Sequence, residues 1–171
     1  MRGLRRGFSM IEVLVAMLVI GTGALAMVML QLHALRSSQD SGLHARATLM
    51  AQELAELRSA MPQPAGTSDP FLFSLSPGKA LPAQVDCELA ACSPGDFTRA
   101  ALADWTGRLV RDFPHARVTV CRDGRSRTPE DWQCDDQGNA PVVLKLGWRR
   151  IGAATPSTAA SAPLLTLVLG H

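Results

Sequence analysis

Apolar residues fill the chain almost without a break from Phe8 to Leu30. They then thin to a single stripe, and beyond residue 116 they alternate with polar ones. Each pattern predicts a different element. The first block is apolar in every direction, which suits a helix surrounded by hydrocarbon. Val13 to Leu30 carries no charge over about 18 residues, near the lower end of the 17–25 that span a bilayer. The stripe is Leu43, Ala47, Met50, Leu54, Leu57 and Met61, spaced alternately by four and three. That spacing puts them on one helical face, with Arg36, Gln39, Asp40, Arg46, Gln52, Glu53, Glu56 and Arg58 on the others. One helix is therefore predicted from Phe8 to about Met61, stopped by Pro62 and Pro64. At 1.5 Å per residue it is about 80 Å long. Gly21, Gly23 and Gly42 are its weak points. The stripe lasts only about three heptads, so it is expected to pack on its own domain rather than in a coiled coil.

Prolines 62, 64, 70, 77 and 82 make residues 62–86 a connector with little regular structure. Phe71, Leu72, Phe73 and Leu75 are expected to reach the core from it. Ser93-Pro94-Gly95-Asp96 reads as a helix start: an N-cap serine, proline at the first helical position and an acid at the positive end. This second helix runs to about Asp112, buries Leu102, Trp105 and Leu109, and ends at Pro114. Three strands follow. Ala116–Arg122 places Val118 and Val120 opposite Arg117 and Thr119. Val142–Trp148 places Val142, Leu144, Leu146 and Trp148 opposite Val143, Lys145 and Gly147, and Leu164–Leu169 is short and apolar. A long polar loop, Asp123–Pro141, joins the first two, and the small-residue segment Ala153–Pro163 precedes the third. Strands after helices imply an α+β fold: a long N-terminal helix on a small antiparallel sheet, with one additional helix. Trp105 and Trp148 are assigned to its core.

Charge and cysteines narrow the setting. The chain has 171 residues and a formal charge of +2. Without Arg2, Arg5 and Arg6, its 17 basic residues fall to 14 against 15 acidic ones. Near-neutral charge gives no electrostatic case for nucleic-acid binding. Cys87, Cys92, Cys121 and Cys134 all follow the apolar helix. An even number beyond a membrane segment reads as disulfides in an oxidising compartment. Three pairings are possible, and local spacing favours Cys87–Cys92 and Cys121–Cys134. The gaps of four and twelve residues, with His33, His44, His115 and His171 scattered, do not suit zinc.

No catalytic constellation, metal set or cofactor motif stands out, so the chain reads as no enzyme. Asp135-Asp136-Gln137-Gly138-Asn139 has oxygen ligands for calcium but lacks the alternating array and a distal Glu, so a polar turn is expected. Arg122, Arg125, Arg127, Arg149 and Arg150 would make a basic patch, but Asp123, Glu130, Asp131, Asp135 and Asp136 lie among them. A mixed, solvated surface is the expectation there.

One charge remains unexplained. Glu12 lies inside the apolar block, where an unneutralised charge costs about 2.5–3.5 kcal/mol on insertion scales. An ordinary secretory signal would have an apolar core of 7–15 residues and a small-x-small cleavage site. Ala24-Leu25-Ala26 supplies the triplet, but the apolar run continues through Leu30 and contains Glu12. A plain anchor explains neither Glu12 nor the glycine that closes the basic leader Met1–Gly7.

Gly7-Phe8-Ser9-Met10-Ile11-Glu12 resembles the processing site of type IV prepilins and type II secretion pseudopilins. The resemblance is specific in about the first 25 residues and general in layout over the rest. It implies that a membrane-embedded prepilin peptidase cuts between Gly7 and Phe8 and methylates the Phe8 amine. Residues 1–7 are then a leader, 8–61 the long helix with its membrane span at about 8–32, and 62–171 a periplasmic head. Glu12 becomes the fifth residue of the mature chain. A cationic N-terminus and Glu12 of the same or a neighbouring subunit would pair in a low-dielectric bundle and set axial register. The family's tip pseudopilin generally lacks this Glu, which argues for a place below the tip. The arginines of the leader favour the cytoplasm, so the implied course is a single-pass inner-membrane protein that later joins a surface filament. The implied partners are other minor pilins, the major pilin, the inner-membrane assembly platform, the peptidase and, before assembly, lipid. Many major pilins carry a proline in the membrane half of this helix, whereas none precedes Pro62 here.

Overall fold

The computed structural model describes residues 7, 9–61, 68–83, 85–87, 91–124, 131–149 and 162–170. The described elements are α1 (Met10–Ala60), β1 (Phe73–Leu75), α2 (Pro94–Asp112), β2 (Arg117–Arg122), β3 (Val142–Gly147) and β4 (Leu165–Gly170). The chain divides into two compact units at Ser41/Gly42, inside α1. The C-terminal part of α1 thus belongs with the head, because its stripe is the head's core.

In the first unit α1 is exposed all round, with apolar side chains on every face, which suits a hydrocarbon surround. Its large apolar side chains from Met10 to Leu35 are 46–84 % exposed. The helix continues unbroken through Gly21, Gly23 and Gly42.

In the second unit the stripe does what its spacing predicts. Ala47, Met50, Ala51 and Leu54 are buried, and Leu43, Leu57 and Met61 pack on them. The α conformation ends at Ala60, just ahead of Pro62, which disfavours helix in the residue before it. Helix α2 begins with Ser93 as N-cap, in extended conformation, its Oγ accepting the Asp96 N–H at 3.2 Å. It ends at the cap residue Phe113, before Pro114. Leu102, Trp105 and Leu109 are buried against α1 and the sheet.

The sheet order is β1-β2-β3-β4, with every pair antiparallel. The register sets Val118 opposite Leu146 and Val120 opposite Leu144. Leu75 and Phe73 join them from β1, and Leu165 and Leu167 from β4. These residues and Trp148 make one core with the two helices. The α+β architecture agrees with the sequence reading.

Three local expectations change. The connector contains the short strand β1, which its prolines hid: Phe71 and Leu75 are buried, but Leu72 faces outward at 37 % exposure. The strand beginning at Val142 ends at Gly147, before Trp148. Finally, β3 is buried at all six positions rather than at alternate ones. On its second face Lys145 meets Asp123, Asp131 and Gln133 of the β2–β3 loop, which cover what alternation would expose to water.

Candidate functional site

Gly7 is exposed, and a Cβ placed on it meets nothing within 4 Å. Phe8 lies outside the described residues. The carbonyl oxygen of Ser9 accepts the N–H groups of Glu12 at 3.0 Å and Val13 at 3.3 Å, so the chain turns helical at once. Glu12 therefore sits in the first turn of α1, where the positive end of the helix dipole favours a carboxylate. Its side chain is exposed, as are those around it. The only other polar side chain in the apolar block beyond the first turn, Thr22, is satisfied within the helix. Its hydroxyl donates to the carbonyl oxygens of Leu18 at 3.0 Å and Val19 at 3.1 Å. Glu12 lies beside the first N–H groups of α1, which have no intrahelical acceptor and so suit a carboxylate.

In the head, the cysteines join Cys87 to Cys92 and Cys121 to Cys134, the pairing that spacing favours. The second bond ties the end of β2 to the loop that follows it. Among the described residues no three His, Cys, Asp or Glu side chains are placed to hold a metal ion. Asp135 is engaged as an acceptor: both its carboxylate oxygens lie 3.1 Å from the Gly124 nitrogen. Asp136 takes a positive φ of 47°, a turn conformation that Asp tolerates. The run forms a turn closed by backbone, the Ala140 N–H donating to the Gln137 carbonyl oxygen at 2.8 Å, with Asp135 tying it to Gly124. Of the possible basic patch, Arg122 donates to the Ala140 carbonyl oxygen, and Arg125, Arg127 and Arg150 lie outside the described residues.

Sequence pattern missed one cluster. Lys145, at 1 % exposure, projects from the middle of β3 onto the outer face of the sheet. Its Nζ lies 2.6 Å from Asp123 Oδ2 and 3.8 Å from Asp131 Oδ1, and it donates to the Gln133 carbonyl oxygen. Asp123 is equally buried. Alternation assigned Lys145 to solvent, and only the placement of the loop brings its partners over it.

The two helices of the head are also joined by charge. Arg108 donates to both oxygens of Glu53 on α1 and to Asp104 on its own helix. These hydrogen bonds to Glu53, above all, raise the Arg108 pKa beyond its already high value. Its charge is permanent at any pH the head meets, so this join does not titrate through the arginine.

Residues 2–28 match the family model described as the prokaryotic N-terminal methylation motif. No curated protein and no solved structure matches the chain. The matched stretch contains Gly7, Phe8 and Glu12 and most of the exposed apolar helix. The chain thus carries the N-terminal methylation motif, a class III signal, ahead of an α+β fold of the kind found in type IV pilins.

Proposed function

We propose that the chain is a minor pilin that helps initiate and assemble a type IV pilus, within a minor-pilin complex near the tip. The observation that carries this reading is the methylation motif set on a helix with Glu12 in its first turn and exposed apolar side chains beyond. Cleavage after Gly7 gives Phe8 a free amine, which is then methylated. The apolar helix waits in the inner membrane with the head in the periplasm, then exchanges lipid contacts for the other subunits' helices. Buried in that bundle, Glu12 is stabilised by a cationic N-terminus, and only the correct axial register brings the two together. The role is structural, with no reaction catalysed by this chain.

Within the family the head is most like the minor pilin PilV. The resemblance rests on Asp104-Trp105 in α2, Cys121-Arg122-Asp123 at the end of β2, Trp132-x-Cys134-Asp135 and Trp148 after β3. A minor pseudopilin of type II secretion would share the processing motif, but those resembling this N-terminus usually have a smaller head. A DNA- or surface-ligand-binding pilin would need a basic face free of interleaved acids.

The test is location. Sheared surface filaments should contain the chain at a low ratio to the major subunit, and its deletion should reduce filament number. Normal filament number without it, with the chain confined to a secretion complex, would replace this reading with the pseudopilin one.

A further inference from the structure

We propose that Cys121–Cys134 is an oxidation-dependent latch that holds residues 131–136 across the outer face of the sheet and seals Lys145 beneath them. The inference stands on the head alone and is independent of the pilin reading.

The 131–136 arm has little of its own to hold it down. Its residues are exposed or half-buried, and none contributes to the apolar core. What fastens it is polar. The Gln133 carbonyl oxygen accepts from Lys145, and Arg117 lies 4.1 Å over the Trp132 ring. Asp135 accepts from the Gly124 N–H, and the Asp136 N–H donates to the Arg122 carbonyl oxygen at 3.0 Å. Contacts of this kind mark segments that open readily. Closure also has an opposing term. It takes the Lys145 ammonium and the Asp123 carboxylate out of water, each to 2 % side-chain exposure, and their attraction must offset that desolvation.

The covalent bond tips this balance. Cys121 is the penultimate residue of β2, paired with Val143 in the sheet, and so is fixed by the ladder. Cys134 lies next to Gln133, the arm residue that caps Lys145. The bond holds their Cα atoms 6.3 Å apart and therefore holds the arm where Lys145 meets it. Joining positions 13 apart removes much of the freedom the arm would gain on opening. Latching is the oxidation of two thiols to one disulfide. An oxidised dithiol of the disulfide-donor class accepts the two electrons and two protons. A reduced chain has the sheet but an unlatched arm, and the outer face is completed only where such a donor is present.

The chain contains only two lysines, Lys145 and the exposed Lys79, which makes the state readable. Full-length protein in detergent micelles is pulsed with an amine-reactive ester, and acylation of Lys145 is measured by mass spectrometry relative to Lys79. In the oxidised wild type Lys145 should be protected. In the double variant Cys121→Ser/Cys134→Ser its relative labelling rate should rise about a hundredfold, the loop-closure effect of such a bond. Cys87→Ser/Cys92→Ser should leave it protected, which separates the latch from disulfides in general. Tryptophan fluorescence is recorded alongside in a Trp132→Phe background, which removes the arm's own indole and leaves Trp105 and Trp148 to report the core. Lys145 labelling that rises with the core signal intact is the expected result. Unchanged protection in the first double variant would overturn the latch. So would loss of the core signal together with protection, because the bond would then hold the whole head rather than the arm.

Discussion

The indole N–H of Trp105 donates to the main-chain carbonyl oxygen of Met50 at 3.0 Å, and both residues are buried. A side chain of α2 thus reaches a backbone atom of α1 that already lies within a helix. The bond fixes where along α1 the second helix sits, and the Phe73 ring meets the same indole edge-on, 6.3 Å away. Trp105→Phe should keep most of the packing but lose the hydrogen bond and leave a small void. It should cost about 1–2 kcal/mol. Trp105→Ala should cost about 3–5 kcal/mol. Chemical denaturation of the two variants, followed by circular dichroism of the head, gives both values. Equal losses in the two variants would mean that ring packing contributes nothing beyond the hydrogen bond, and no loss in Trp105→Phe would mean that the hydrogen bond itself contributes nothing.

The start of α2 offers a pH test. Ser93 and Asp96 form a reciprocal cap, with the Ser93 hydroxyl donating to the Asp96 carboxylate at 2.6 Å. That hydrogen bond, and then the one from Arg99, lower the Asp96 pKa below its ordinary 3.8. A depressed folded pKa contributes stability above the unfolded value that is lost as pH falls through the folded one. The cap should therefore be fully effective at neutral pH and weaken below about pH 4. Ser93→Ala should destabilise by about 1 kcal/mol at pH 7. Asp96→Asn should flatten the acid limb of a plot of melting temperature against pH. An unchanged acid limb in that variant would remove Asp96 from the cap.

Processing follows from Gly7. The mature chain should begin with Phe8 bearing a methylated amine, and Gly7→Leu should accumulate as uncleaved precursor, because a bulky side chain does not fit a site that demands glycine. N-terminal peptide mass spectrometry reads both. A mature N-terminus after Ala26 would instead establish an ordinary secretory signal.

Glu12 separates an anchor from a subunit. If it merely decorated an anchor, Glu12→Ala would insert at least as well and change nothing further. If it pairs with an N-terminus, the same variant should be cleaved and inserted normally yet be depleted from filaments. Breaking a buried pair costs roughly 3–5 kcal/mol, enough to exclude most copies. Glu12→Gln should fall between, since it keeps an acceptor without the charge. The ratio of the chain in sheared filaments to that in the inner membrane is the measurement. A wild-type ratio in Glu12→Ala cells would end the assembly role of this residue.

The sequence by itself determined the elements whose cause is local. The stripe from Leu43 to Met61, the Ser93 cap, the ends of α1 at Ala60 and of α2 at Asp112, and the alternation of Val118 and Val120 are each written in neighbouring residues and appear in place. The N-terminal methylation motif over residues 2–28 was legible for the same reason, because it is read along a continuous string. Tertiary structure decided what distant residues do to one another. The strand Phe73–Leu75 is too short to show a period and exists because β2 offers it an edge. Lys145 alternates like a solvent residue, but the loop after β2 folds back over it. A charge is buried only where its counter-charge arrives too. Asp123, Asp131 and the Gln133 carbonyl oxygen reach Lys145 through the closed fold, which no pattern along β3 records.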